Sequence, residues 1–402
     1  MKGLYVARLD LGQPHLMGVR RKIDAQIKAL AAAGMPASLL CTRDGAIELD
    51  GRIMGKPAPG RWDKRFNHHL RFHRAMEQAA LDADFAYIRF QGAPPGFVSA
   101  LARLRRVRPR MPILLELPSW PFATERRGPR MHAVGAYEDL GLRKLRGLVD
   151  RIVTFSTAEE ILGVETICID NGVDLEEIAV STVSADDNPL RFVGVANLSF
   201  WHGYDRIIAG LAEYRTPSNA PHLSFEIIGS GAELPRLQAQ VARLGVGDLV
   251  HFHGSLHGAQ LDRLLANCQI AISSIGMHRL DVDTSNIKSR EFCARGLPFL
   301  IGYPDRDFPD SLPFVFHLPP DDSPADIGAI VEWYRDLRAG HANLAQEMRR
   351  YAEAHLTWHS KFRPVIDWLR KRSGSHAAQP TPLSPKTLPL SRPTTSGPGK
   401  GM

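Results

Sequence analysis

The run from Asp283 to Pro298, DTSNIKSREFCARGLP, holds the residues whose types and spacing could do chemistry. Asp283 stands eight positions before Glu291, and a short helix is expected between them. Ser285 is the expected N-cap, Asn286 to Arg295 the helix, and Gly296 its stop before the apolar strand Phe299-Leu300-Ile301. Such a helix start would leave N–H groups from Thr284 to Ile287 unpaired, Ser285 and Asn286 among them. Together with the helix dipole these favour an anion such as a phosphate. Lys288 and Glu291 are three apart and share a face, setting a cation near the phosphate position and a carboxylate within reach of sugar hydroxyls. That pattern suits a nucleotide sugar, although a solvated, charged helix start between two strands would look the same.

The elements that must position these residues repeat a βα pattern. Short apolar strands at 4–9, 37–41, 85–90, 113–117 and 151–155 alternate with helical stretches near 19–33 and 96–105, which predicts a parallel sheet covered by helices. The pattern restarts after a polar stretch at 181–188. Strands are expected at 190–195, 223–228, 249–252, 270–273, 298–302 and 314–316, and helices at 204–214, 234–244 and 260–267. The fold class is therefore α/β, with two doubly wound Rossmann-like domains facing a central cleft where ligands bind beyond the strand ends. The expected division is 1–174 for the first domain, 175–189 as linker and 190–354 for the second. Helix 355–372 follows, then a Pro/Ser/Thr/Gly-rich tail, 373–402, without a periodic apolar face and so expected to be disordered.

Composition sets the limits. A chain of 402 residues with 44% hydrophobic and 23% charged residues is ordinary for a globular protein of two domains. Its four cysteines, Cys41, Cys168, Cys268 and Cys293, lack paired spacing and encode neither a zinc site nor a disulfide framework, as expected of a cytoplasmic protein. The first residues read as a strand rather than a signal peptide, and no segment is long enough to span a bilayer. The net charge of +7 gathers at 61–74 and 103–110. These basic runs could touch an anionic membrane at its inner face or an anionic acceptor, or be two solvated helix faces. Without interleaved aromatic residues, nucleic acid is not an expected partner.

Several motifs in order carry a resemblance. The strand-turn Ile169-Asp-Asn-Gly-Val-Asp174 resembles the interdomain element of the retaining GT-B glycosyltransferases of family 4. The segment 190–208 (LRFVGVANLSFWHGYDRII) resembles their first donor-domain strand, phosphate loop and helix. FEIIGSG at 225–231 and Phe252-His253-Gly254 resemble the next two strand ends. Asp283 to Glu291 takes the place of the family's Glu-x7-Glu motif, with Asp for the first Glu, and 355–369 resembles the closing helix.

The resemblance implies a nucleotide-diphosphate sugar as donor, a glycan or lipid-linked acceptor in polysaccharide synthesis, retention of anomeric configuration, and no metal or other cofactor. It also implies that the first domain, 1–174, binds the acceptor and the second, 190–354, the donor. Asp283 would hold the transferred sugar, Glu291 the ribose, and Lys288 the diphosphate. Gly18, Asn197, His202, Gly229, Gly231, His253 and Gly254 fall on the family's donor-contacting loops, with Ser285, Asn286 and Ile287 at the helix start. Asn197 and His202 replace the usual Arg and Lys of the phosphate loop, so Lys288 and Arg290 are the expected compensating cations.

Other residues have two readings each. Gly12 and Gly18, in the loop 11–20, could let backbone approach the substrates or be turn glycines. Glu116 could meet the acceptor or cap a strand. His68, His69 and His73 read as surface residues rather than metal ligands. Asp281-Val282-Asp283 forms an Asp-x-Asp pattern that elsewhere holds a divalent metal, but in a single-domain fold unlike this one. Two rival functions remain: a non-catalytic nucleotide-sugar or glycan-binding protein, and a nicotinamide oxidoreductase. The second is disfavoured because no Gly-x-Gly-x-x-Gly follows the first strand of either half.

Overall fold

The computed structural model describes residues 1–13, 16–55, 61–118, 120, 141–181, 189–214, 222–280 and 285–377. For 61–66 and 374–377 only the backbone path is described. Two sheets carry the fold. The first contains β1 (Gly3–Asp10), β2 (Ala37–Arg43), β3 (Ala46–Leu49), β4 (Arg52–Gly55), β5 (Phe85–Arg89), β6 (Ile113–Leu117), β7 (Arg151–Thr154), β8 (Glu160–Ile161) and β9 (Val164–Cys168), in the order β4-β3-β2-β1-β5-β6-β7-β9-β8. From β2 to β9 the neighbours run parallel, while β3, β4 and β8 pair antiparallel at the edges.

The second sheet contains β10 (Leu190–Val195), β11 (Leu223–Ile228), β12 (Val250–Gly254), β13 (Ile270–Ile272), β14 (Phe299–Ile301) and β15 (Val315–His317). It is parallel throughout, in the order β12-β11-β10-β13-β14-β15. This is the doubly wound order whose direction reverses beside the first strand, where a crevice opens outside the carboxyl ends. Each domain is Rossmann-like, as the alternation of strands and helices predicts.

Helices cover both faces of each sheet. In the first half these are α1 (Met17–Ala32), α2 (Arg61–Ala79) and α3 (Pro95–Val107); in the second, α4 (Tyr204–Glu213), α5 (Leu234–Leu244), α6 (Ala259–Leu265), α7 (Ile287–Arg295), α8 (Ile327–Gly340) and α9 (Leu344–His355). Two more, α10 (Trp358–Lys361) and α11 (Arg363–Ala377), close the described chain. The period of two in each strand sends alternate side chains to opposite cores. Leu4 and Val6 of β1 pack with Phe72, Met76, Phe97 and Leu101 of α2 and α3. Tyr5 and Ala7 pack on the other side with Ile23 and Leu30 of α1.

That second core also takes Trp358, Phe362, Val365, Ile366 and Leu369, so the chain returns from the second sheet to the first. Full burial of such side chains contributes about 1.5–3 kcal/mol each. Exposed ion pairs at the same junction, such as Lys28 with Asp174, are screened by solvent and contribute little. Apolar burial therefore decides this crossing.

The sequence reading lacks the hairpins β2-β3-β4. Their turns are Asp44-Gly45 and Asp50-Gly51, with φ of 49° and 80° in the first and 50° and 80° in the second. Positive φ at both central residues is the tight-hairpin geometry that Asp-Gly favours, so the signal was present in the sequence. A second correction concerns His73, expected on the surface. It lies on the inward face of α2, 2% exposed, against Phe97, and burial pushes its imidazole down to about 4. His68 is half-buried and hydrogen bonds Thr42 Oγ1 at 3.2 Å, while His69 is exposed.

Candidate active site at the strand ends of the second sheet

A cavity of about 680 Å³ opens beyond the carboxyl ends of β10, β11 and β12, a volume suited to a small-molecule ligand. Three strand ends supply its floor: Val195, Ala196 and Asn197 after β10; Ile228, Gly229 and Ser230 after β11; Ser255, Leu256 and His257 after β12. Helix α7 forms one wall with Lys288, Glu291, Phe292 and Arg295, and Leu261 and Leu265 of α6 complete the lining.

The loops meet closely. The N–H of Ala196 donates to Ile228 O at 2.9 Å, that of Leu198 to Ser230 O at 2.7 Å, and that of Gly229 to Gly254 O at 2.7 Å. Gly229 has φ of 127° and Gly231 of 155°. A Cβ on Gly229 would lie 1.8 Å from Ala196 O, and one on Gly231 would lie 2.3 Å from Leu198 O. Glycine is required at both positions for the strand ends to converge.

Helix α7 has no Gly or Pro in its interior and ends at Gly296 in the left-handed conformation. Ser289, Arg290, Phe292, Cys293 and Ala294 are buried, which leaves Lys288, Glu291 and Arg295 along the cavity side. Glu291 is exposed by surface area because it faces open space, yet the walls around it desolvate the carboxylate enough to raise its pKa, against the pull of Arg295, Lys288 and Arg21. Burial lowers Lys288 to about 8, with Glu291 partly restoring it. Arg295 is held by Asp262 at 2.8 Å. Two cations therefore flank one carboxylate along this wall.

The expected helix start differs in detail. Helix α7 begins at Ile287 with Asn286 at the N-cap, and no side chain caps it. Ser285 is not the cap. Its Oγ accepts the Asn171 N–H at 3.0 Å, and its carbonyl accepts Asn171 Nδ2–H at 2.5 Å. The interdomain turn thus claims the hydroxyl that sequence alone assigns to the helix. Ile287, 38% exposed, is outside the cavity lining. Asp283 lies outside the described residues, as do Thr284 and the Asp281-Val282-Asp283 pattern.

Arg290 does not face the cleft. It is fully buried and forks onto Asp305 at 2.5 and 2.6 Å and Asp307 at 2.6 Å. Burial opposes its charge, but the two carboxylates outweigh that and hold the guanidinium above its usual pKa. Its spacing of two from Lys288 puts it on another helix face, so it cannot serve as the second compensating cation. Arg295, seven beyond Lys288, occupies the cavity instead.

Asn197 and Gly229 line the cavity beside Lys288 and Glu291. His202, 6% exposed, sits behind them. Its Nδ1 accepts the Ser199 N–H at 3.1 Å, which leaves Nε2 as the protonated nitrogen. Burial, with Lys288 nearby, lowers its pKa to about 3, so it is neutral in the physiological range. Gly231 and Gly254 shape the converging loops. His253 turns away to Glu226, at 2.6 Å, and does not line the cavity.

Gly18 belongs to the first turn of α1 rather than to a loop, and nothing lies within 4 Å of a Cβ placed there. Gly12 sits against Asp44, whose Oδ1 would be 2.4 Å from an added Cβ. Glu116 neither faces the cleft nor caps a strand: it is 0% exposed and accepts from Tyr87 Oη at 2.7 Å, Gln26 Nε2 at 2.9 Å and Arg89. Sequence reasoning passed over Ser230, Ser255, His257 and Arg295. The last could have been found by extending the Lys288–Glu291 spacing by one turn.

Among the described residues no group of three or more His, Cys, Asp or Glu could hold a metal ion, and no helix is long and apolar enough to cross a membrane.

No protein-family model matches this sequence, and no curated protein matches it. Solved structures do match its fold. A sucrose-phosphate synthase from Thermosynechococcus elongatus aligns with 94% of this chain and 100% of its own, at 15% identity and a TM-score of 0.57. A glycosyltransferase from Rickettsia africae aligns with 92% of this chain and 98% of its own, at 13% identity and a TM-score of 0.61. HepE of Anabaena, solved with UDP, aligns with 92% of this chain and 100% of its own, at 15% identity and a TM-score of 0.59. The chain has the GT-B fold.

Proposed function

We propose that this protein is a retaining glycosyltransferase of the family 4 type, moving a sugar from a nucleotide-diphosphate donor to a glycan or lipid-linked acceptor in bacterial polysaccharide synthesis. The observation that carries this reading is the row Lys288, Glu291 and Arg295 on one face of α7, over a cavity at the converging ends of three parallel strands. Breaking the bond from anomeric carbon to diphosphate oxygen leaves its electron pair on the diphosphate. The acceptor oxygen bonds to the anomeric carbon and passes its proton to the departing diphosphate oxygen. Negative charge thus grows on the leaving phosphate, where a fixed cation and N–H donors stabilise the transition state most.

Lys288 supplies that cation at the first turn of α7. Glu291, one turn along, accepts from ribose hydroxyls, and the apolar side chains of Leu256, Leu261 and Leu265 receive the base. Asp283 takes the hydroxyls of the transferred sugar. Asn197 and the neutral His202 offer hydrogen bonds rather than charge, and Arg295 is neutralised by Asp262 two turns from the helix start, so Lys288 carries most of the electrostatic demand. The reaction proceeds without metal in this reading, and chelation with EDTA should leave it unchanged.

The protein would work in the cytoplasm at the inner face of the membrane, where the exposed Arg106 and Arg110 of the basic stretch 103–110 favour anionic lipid or a lipid-linked acceptor, Arg103, Arg105 and Arg108 being held by partners within the fold. HepE was solved with UDP, so uridine donors are the first to test. Thermal shift against UDP-, GDP- and ADP-sugars, followed by a transfer assay, tests the reading: one donor should stabilise the fold and be consumed. Stabilisation without transfer or hydrolysis across a panel of acceptors would favour the non-catalytic alternative, which the uncharged Asn197 and His202 support.

A further inference from the structure

The start of α7 is held from the other domain. Asn171, in the turn after β9, grips Ser285 twice, through its backbone N–H and its side-chain amide, two residues before the helix begins. The side-chain oxygen of Asn171 in turn accepts Lys22 Nζ of α1 at 2.9 Å. Lys22 is 10% exposed, and its ammonium lies 3.8 Å from the Phe155 ring centroid and 5.4 Å from that of Trp358 in α10. It therefore stands where α1, the interdomain turn and the returning helices meet.

Lys22 also pairs with the buried Glu116, 3.8 Å from its Nζ, but that carboxylate takes Arg89, Tyr87 and Gln26 as closer donors and keeps the Arg89 guanidinium as counter-ion without Lys22. Asn171 is its closest polar partner.

We propose that Lys22 is a positioning residue for the donor cavity: by fixing the Asn171 amide it fixes Ser285, and so sets where the first turn of α7 places Lys288 and Glu291. This rests on the reading of that cavity as a donor site. A donated proton polarises the Asn171 amide and strengthens its own N–H donation to the Ser285 carbonyl. Burial lowers Lys22 to about 7 against the pull of Glu116, but the neutral amine still donates, so the grip does not depend on charge.

Lys22→Met keeps an apolar stem over the rings and deletes the donor. In the full chain it should speed hydrogen exchange at the first-turn amides of α7 about three- to tenfold, and raise the donor KM and lower kcat by similar factors, since both Glu291 and Lys288 are displaced. Lys22→Arg should restore all three. Lys28→Met removes an exposed cross-domain pair with Asp174 and Glu176, at 2.9 and 3.3 Å, and should alter none of them.

Should Lys22→Met fail to fold, Asn171→Ala provides the same exchange readout; where both fold, their effects should not add. Wild-type exchange at α7 in Lys22→Met, or the same change in Lys28→Met, overturns the proposal. If no nucleotide sugar binds any form, the donor reading fails, and exchange alone still decides whether Lys22 holds α7.

Discussion

Replacing Lys288 by Met separates charge from shape at the cavity's first turn. Met matches the length of the lysine stem, so the apolar contacts of α7 persist while the cation goes. One preorganised group facing a developing anion is worth about 2.7–4 kcal/mol, or about 100- to 1,000-fold in kcat. With Asn197 and His202 uncharged and Arg290 tied to Asp305 and Asp307, the loss should fall within that range rather than below it. A pH signature accompanies it. Lys288 sits at about 8 in the free protein, lowered by burial, so its charged form is complete well below that value and is lost above it. The charged fraction falls about tenfold between pH 7 and pH 9, and kcat/KM for the donor should follow. His202, near 3, contributes no limb in this range. The assay is release of nucleoside diphosphate with a stabilising donor, run across pH on wild type, Lys288→Met and Lys288→Arg. The arginine variant should keep activity at high pH without the decline. An alkaline limb that survives in Lys288→Met, or a loss of less than about tenfold, would refute the assignment of the leaving-group cation to Lys288.

Glu291→Ala should raise the donor dissociation constant by about tenfold or more in calorimetry while leaving thermal stability unchanged, because the side chain faces the open cavity. Gly229→Ala forces a Cβ to 1.8 Å from Ala196 O, at φ of 127°, and should destabilise the fold by about 2 kcal/mol or more in urea denaturation. Arg290→Met strands the buried carboxylate of Asp305 and leaves Asp307 with Lys361 alone. It should cost about 3–5 kcal/mol by the same measurement, whereas a cleft-facing arginine would cost activity and little stability.

Much of the architecture was legible because it rests on local rules. Strands buried on both faces favour near-continuous apolar runs, as in Ile113–Leu117 (ILLEL) and Phe299–Ile301, and the helices between them carry a regular apolar stripe. Leu234–Leu244 came out with the boundaries expected of it, and Gly296 stops α7 where the Gly-Leu-Pro signal requires. The face shared by Lys288 and Glu291 follows from a spacing of three, so their meeting on one cavity wall was also readable from the chain.

Partners distant in sequence were not readable. Ser285 has the type of an N-cap, but Asn171, 114 residues earlier, competes for its hydroxyl and wins. Arg290 has the charge of a phosphate ligand, yet which way it points depends on Asp305 and Asp307 and on the turn that brings them beneath α7. Glu116 ends a strand near the cleft, but Arg89, Tyr87 and Gln26 from neighbouring elements enclose it. His73 carries a polar ring at a helix position whose inward orientation only packing against Phe97 reveals. Sequence sets backbone periodicity because that depends on neighbours a few residues away. Which polar group meets which depends on contacts between elements, and these exist only once the sheets have assembled.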